Sequence, residues 1–149
     1  MRLTRAGEYA VRCVVHLATI EKGKVVSRKE VARAMDIPEP FLGKITKQLT
    51  LAGILDVVQG ARGGYRLATD PRKISLLEVV EAIMGKICLN DCVDRPESCH
   101  RNPICTVHPV WKNARDQLRE TLGGVSFYEL SNGNGNGSKK KLQPATPAD

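Results

Sequence analysis

No stretch of the 149-residue sequence approaches the roughly 20 consecutive apolar residues of a membrane span, so no embedded segment is expected. The opening MRLTRAGEYAVRC mixes charges among its apolar residues and lacks an uncharged run with a small-residue cleavage site, so no targeting segment is expected either. No internal repeat is visible. No two cysteines have the C-x-x-C form of zinc ribbons or thioredoxin-like sites, which weakens both readings. At this length a single compact domain with an arm is expected, not a large multidomain enzyme. What is present is ordinary for a globular chain: 42% hydrophobic and 26% charged residues can bury a core. Five cysteines, an odd number, fit a reducing cytoplasm, where clustered thiols bind metal or do redox chemistry more often than they form structural bridges.

Charge is unevenly placed. The whole chain carries a formal +7, which favours a polyanionic partner, nucleic acid first. Residues 1–85 hold 14 basic and 9 acidic residues, residues 86–131 hold 6 of each, and residues 132–149 hold 3 and 1. A basic amino-terminal module followed by a neutral, cysteine-bearing one suggests two tasks on one chain.

Hydrophobic periodicity predicts a first helix from Thr4, with Tyr9, Ala10, Cys13, Val14 and Leu17 on one face and Gly23 ending it. Cys13 on that stripe reads as a core residue. Ser27-Arg28-Lys29-Glu30 has the form of a capping box, so a second helix should start at Arg28 and turn Val31, Ala32 and Met35 inward. Asp36-Ile37-Pro38 interrupts it, and a third helix runs to Leu51. Phe41, Leu42, Ile45 and Leu49 are expected to face the core, leaving Pro40, Gly43, Lys44 and Lys47 outside. Ile54 to Val58 and Tyr65 to Leu67 read as strands around the glycine-rich tip Gln59 to Gly64. This is a winged helix-turn-helix. Its predicted DNA contacts are Ser27, Arg28, Glu39, Pro40, Gly43, Lys44, Lys47, Gln59, Arg62 and Gly63, with Arg62 placed for a minor groove or a phosphate. The plain alternative is a solvated cationic face.

Ser75 and Glu78 form a second capping box, opening a helix with Leu76, Leu77, Val80 and Ile83 on its apolar side. The segment that follows is rich in Asp, Asn, Pro and Ser, holds four of the five cysteines and is expected to lack secondary structure. His108-Pro109 starts a last long helix that ends at Gly123-Gly124, and Trp111, Ala114, Leu118 and Thr121 or Leu122 form a narrow seam of the kind that pairs two helices. Beyond Leu130 the run NGNGNGSKKK has no apolar pattern and is expected to be disordered. The reading is thus a mainly α fold: a DNA-binding domain over residues 1–85, a cysteine loop over 86–108, a dimerisation helix and terminal segment over 109–131, and a disordered tail over 132–149.

The cysteine spacing is Cys88, Cys92, Cys99, Cys105, then His108. A flexible loop can wrap three thiolates around a centre, while Cys105 and His108, three apart at a helix start, can face the same way. Three sulfurs and an imidazole suit zinc or a [2Fe-2S] centre, and spacing alone does not choose.

The opening MRLTRAGEYAVR, the segment IPEPFLGKITKQLTLAGILDVVQGARGGYRLA, the helix ISLLEVVEAI and the spaced cysteines together resemble the Rrf-two family of bacterial winged-helix regulators, over roughly residues 1–131. The most specific parts are the GxxGGYxL wing (Gly60, Gly63, Gly64, Tyr65, Leu67) and the cysteine loop ending in CTVHPVW. The resemblance to the IscR branch implies a [2Fe-2S] cluster on Cys92, Cys99, Cys105 and His108. Two departures are the six residues between Cys92 and Cys99, where that branch has five, and the additional Cys88. The NsrR branch uses an acidic residue from the partner subunit at the position of Glu8, which leaves a [4Fe-4S] centre using Glu8 or Cys88 as the other arrangement.

These observations lead to a cytoplasmic, homodimeric DNA-binding transcription regulator that reads a palindromic operator and whose binding depends on an iron-sulfur cluster. The resemblance leans to repression. Two other readings compete: a clusterless switch based on oxidation of Cys88, Cys92, Cys99 or Cys105, and an enzyme with Cys105 as nucleophile and His108 as base, for which no third orienting group or oxyanion hole is evident.

Overall fold

The computed structural model of the chain describes residues 2–133, so the tail expected to be disordered lies outside the described residues apart from its first two. Helix α1 (Arg5–Thr19) starts where Thr4 caps it, the threonine hydroxyl accepting the Gly7 amide at 3.1 Å. Ala10, Cys13 and Val14 on its inner face are completely buried. The helix ends before Gly23. The Thr19 hydroxyl donates to the His16 carbonyl at 2.6 Å and the Ile20 amide to the Leu17 carbonyl at 3.2 Å, so two of the last four carbonyls are satisfied and the chain leaves at Ile20 in extended geometry.

Helix α2 (Arg28–Met35) is capped by Ser27, whose hydroxyl accepts the Glu30 amide at 3.2 Å; the return bond from Glu30 is not made, so the expected box is half formed. Asp36 closes the helix in a left-handed conformation at φ 52°. Helix α3 (Glu39–Leu51) follows with Pro40 in its first turn, and its inner stripe is Leu42, Ile45, Thr46 and Leu49. Phe41 is not part of it. It lies about a quarter turn off the stripe's centre and is 49% exposed, its ring set edge-on to Tyr9 with centroids 6.0 Å apart. Thr46 takes the inner place that sequence hydropathy withholds from it. Its hydroxyl donates to the Leu42 carbonyl at 2.8 Å, so no polar group is left unpaired there.

Strands β1 (Leu55–Val58) and β2 (Gly64–Leu67) pair antiparallel with Leu55 opposite Leu67 and Val58 opposite Gly64. Val26, just ahead of α2, exchanges two backbone hydrogen bonds with Tyr65, at 2.9 and 2.8 Å, and so lashes the wing to the start of α2.

After a 3₁₀ turn at Pro71–Lys73 comes α4 (Leu76–Met84), where Ser75 and Glu78 make the complete capping box. Its deepest residues are Val79 and Val80, whereas Leu76, Leu77 and Ile83 are only partly buried. Because α4 packs against both α1 and α6, its apolar positions spread beyond one stripe. The cysteine segment has secondary structure after all: α5 (Asp91–Asp94) and 3₁₀ turns at Pro96–Ser98 and Asn102–Ile104. Its prolines sit in first turns, where a missing amide costs nothing. Helix α6 (His108–Gly123) carries no buried residue, and Val110 and Trp111 are 60% and 40% exposed.

Helix α7 (Phe127–Ser131) is the element sequence reasoning passed over. Ser126 and Glu129 form a full capping box, the Phe127 amide donates to the Ile74 carbonyl, and the Leu76 amide to the Val125 carbonyl, each at 2.9 Å. Phe127 is completely buried and belongs to the core cluster of the head, with α7 packed on α1 and on the turn Pro71–Lys73, so the chain returns to the module it left at Gly85. The result is a mainly helical winged helix-turn-helix with a two-stranded wing. Among the described residues no helix is long and apolar enough to cross a membrane.

Candidate functional site

The outer face of α3 is open and cationic. Glu39, Pro40, Lys44 and Lys47 are exposed, Gly43 is half-buried, and neither lysine has an ion-pair partner among the described residues. Gln59 and Arg62 are exposed in the wing tip and Gly63 is half-buried there. Between α3 and the wing runs a shallow groove of about 300 Å³ lined by Gly43, Lys47, Thr50, Val57, Gln59 and Tyr65 among others. An Arg66–Asp56 pair at 3.3 Å braces the wing below its tip. Ser27 spends its hydroxyl on the cap of α2, while Arg28 is exposed at the first position of that helix. The ten sequence-predicted contact residues therefore lie on α3, the wing and the junction that ties the wing to α2.

The wing glycines have a steric reason. A β-carbon on Gly64 would press into the Val26 carbonyl, and one on Gly63 would press into the Val58 carbonyl. Neither obstacle is a side chain that can swing away, so the close approach of β2 to residues 26–27 requires glycine.

The remaining thiols lie in the segment between α4 and α6. Cys88, Cys92, Cys99 and Cys105 are all free and half-buried, and the Cys88 thiol donates to the Asn90 carbonyl at 2.7 Å. His108 is half-buried at the first position of α6, and its Nδ1 is buried without a hydrogen-bond partner. Free thiols preceding an imidazole with an unpaired ring nitrogen form a donor set whose chemistry fits an iron-sulfur centre or zinc. The donors are not assembled: among the described residues no three His, Cys, Asp or Glu side chains stand close enough to hold a metal ion. Glu8 is exposed in the first turn of α1. Cys13 differs from the other thiols, since burial pushes its pKa up to about 12, as befits a core residue.

Several bonds fasten the thiol segment to its surroundings. Glu81 of α4 accepts the Ile87 amide at 2.9 Å and pairs through the same oxygen with Arg119 of α6. One turn earlier on α6, Arg115 donates to the Val93 carbonyl at 3.1 Å and pairs with Asp116 at 2.7 Å. Lys86 meets Asp94 at 3.1 Å. Lys112 and Arg115 together hold the Asp116 carboxyl below its ordinary pKa. Glu81, Arg115 and Arg119 went unremarked in the sequence because a charged residue on a helix gives no signal of a partner distant along the chain. Helix α7, by contrast, was announced by Ser126-x-x-Glu129, the same signal that located α2 and α4.

Comparison with known proteins fits this arrangement. The family described as "Rrf2: Iron-dependent Transcriptional regulator" matches residues 3–133. The chain is 34% identical over 131 residues to the HTH-type transcriptional regulator NsrR of Shouchella clausii, covering 87% of this chain and 88% of that protein. It is 31% identical over 127 residues to a putative HTH-type transcriptional regulator of Aquifex aeolicus, covering 83% and 87%. Among solved structures, CymR, the global cysteine regulator of B. subtilis, superposes with a TM-score of 0.73 at 22% identity, covering 89% of this chain and 97% of that one. T. potens IscR gives 0.68 at 23%, covering 94% and 93%. The two structures establish the fold, and the family match and sequence relatives establish membership: the chain belongs to the Rrf2 family of DNA-binding transcriptional regulators.

Proposed function

We propose that the protein is a cytoplasmic, homodimeric repressor whose grip on a palindromic operator is set by an iron-sulfur cluster, a [2Fe-2S] centre held by Cys92, Cys99, Cys105 and His108. The observation that carries this reading is the position of the thiol segment. It runs from the end of α4, part of the reading head, to the start of α6, and Glu81 bonds to both its first residues and α6. Bound there, the cluster would supply a redox- and nitric-oxide-sensitive inorganic centre. The chain's own residues do the rest. Ordering Cys92, Cys99 and Cys105 fixes the path between α4 and α6, and through Arg115 and Glu81 it fixes how α6 leans on the head.

The exposed, unburied face of α6 with Val110 and Trp111 supports its reading as the dimer helix. Two heads joined through it would present two α3 helices to successive major grooves, about one duplex turn apart. Lys44 and Lys47 add salt-dependent phosphate affinity. A change in the lean of α6 alters the spacing of the heads, and so shifts the population competent for the operator.

The thiol switch keeps one supporting observation: the four segment thiols are free and not gathered as ligands. Purification without air, followed by visible absorption and assays of iron and acid-labile sulfide, separates the two. The cluster reading expects a coloured protein with about two irons and two sulfides per chain. A colourless protein that forms reversible disulfides among these thiols supports the switch instead.

A further inference from the structure

Arg28 occupies a place that another helix's side chain would ordinarily fill. Its guanidinium lies against Gly43 of α3, so that a β-carbon added at Gly43 would run into the Arg28 Nη2. The same residue's backbone follows directly on Val26 and Ser27, the segment held against β2 because Gly64 has no side chain. The missing side chain on the recognition helix thus makes room for Arg28, and the one on the wing lets the wing close on the residues just before it. It is exposed and has no carboxylate partner among the described residues. Gly43 also lines the groove between α3 and the wing, so the guanidinium lies beside the surface on which the duplex would rest.

We propose that Arg28 is a specificity-determining residue, reading a guanine in the major groove alongside α3 from the space that Gly43 leaves open. This inference rests on the DNA-binding reading of the head. The planar fork of an arginine matches the O6 and N7 acceptors of guanine with two hydrogen bonds, whereas a lysine ammonium offers a point charge that serves a phosphate equally well. Gly43 is the positioning residue: it contributes no contact of its own and admits the guanidinium to the helix face.

The test is selection of bound duplexes from a randomised DNA library by the full-length protein purified without air. Arg28→Lys and Gly43→Ala variants are run in parallel, and each is then titrated on the wild-type consensus and on single-base variants of it. Alanine suits a helix interior better than glycine, so Gly43→Ala is expected to keep the fold. Wild type is expected to require guanine at one position of each half-site, by roughly 10- to 100-fold over other bases. Both variants are expected to lose that preference at that position, while the salt dependence of binding stays as in wild type. If Gly43→Ala keeps the full guanine preference, or if Arg28→Lys weakens binding equally for all sequences, Arg28 does not read a base from this place and the inference is overturned. If both variants select the wild-type consensus unchanged, the inference alone fails; if the wild type selects no sequence, the DNA-reading assignment of the head fails with it.

Discussion

Replacing Phe127 by alanine tests whether α7 belongs to the DNA-reading head. The ring is completely buried in the core cluster of the head, α7 packs on α1 and on the turn Pro71–Lys73, and the Phe127 backbone is pinned by the bond from its own amide to Ile74. Truncating a fully buried phenylalanine removes its transfer energy and leaves a cavity, together about 3–5 kcal/mol. Against a total stability of about 5–15 kcal/mol that is a large share. For a domain of this size the melting temperature should fall by roughly 10–15 °C. Phe127→Leu keeps about half of the buried carbon and should lose roughly half as much. The measurement is urea unfolding followed by circular dichroism at one fixed protein concentration, with a chelator present so that metal binding does not mask the loss. A loss below about 1 kcal/mol, or a separate early transition that leaves the main midpoint in place, would refute the claim that α7 completes this core.

Other outcomes follow from single contacts. Gly64→Ala drives a β-carbon toward the Val26 carbonyl, so the wing must part from the start of α2; the variant should stay helical by circular dichroism yet lose most of its DNA affinity, and full affinity would contradict the steric reading. Cys13, with its pKa pushed up to about 12, should resist alkylation in the folded protein at pH 8, whereas the four half-buried thiols react when a chelator is present. Peptide mass spectrometry that finds Cys13 modified as fast as the others would oppose this. The Ser126 backbone amide, then its hydroxyl, holds the Glu129 carboxyl below its ordinary value of 4.5. A carboxyl whose folded pKa is lowered adds stability above that ordinary value and surrenders it as pH falls through the lowered one. Glu129→Gln keeps an acceptor but cannot titrate, so its stability profile below pH 4.5 should be flatter than wild type; parallel acid limbs would contradict the assignment.

Much of the head can be read directly from its residues, because local signals there agree with the tertiary outcome. Ser27 and Ser75 mark helix starts, Asp36-Ile37-Pro38 marks the turn between α2 and α3, and the glycines of the wing mark a hairpin that only glycine fits. Legibility fails where burial depends on the angle at which elements meet. Phe41 is as apolar as Leu42 but sits at the edge of the stripe, and Thr46 goes inside because the Leu42 carbonyl satisfies its hydroxyl. The thiol segment looks structureless because its helical turns are only three or four residues long, too short to show a period. The Glu81–Arg119 tie joins residues 38 positions apart, and no pattern within either helix foretells it.

The most direct test of the central claim is the affinity of the anaerobically purified protein for its selected operator, measured before and after removal of iron and repeated with Cys92→Ser, Cys99→Ser and Cys105→Ser. If a cluster sets the grip on DNA, iron removal changes affinity at least tenfold, and each serine variant behaves as the stripped protein whether or not iron is supplied. Equal affinity in all of these states, with the thiols replaced and the iron gone, would contradict it.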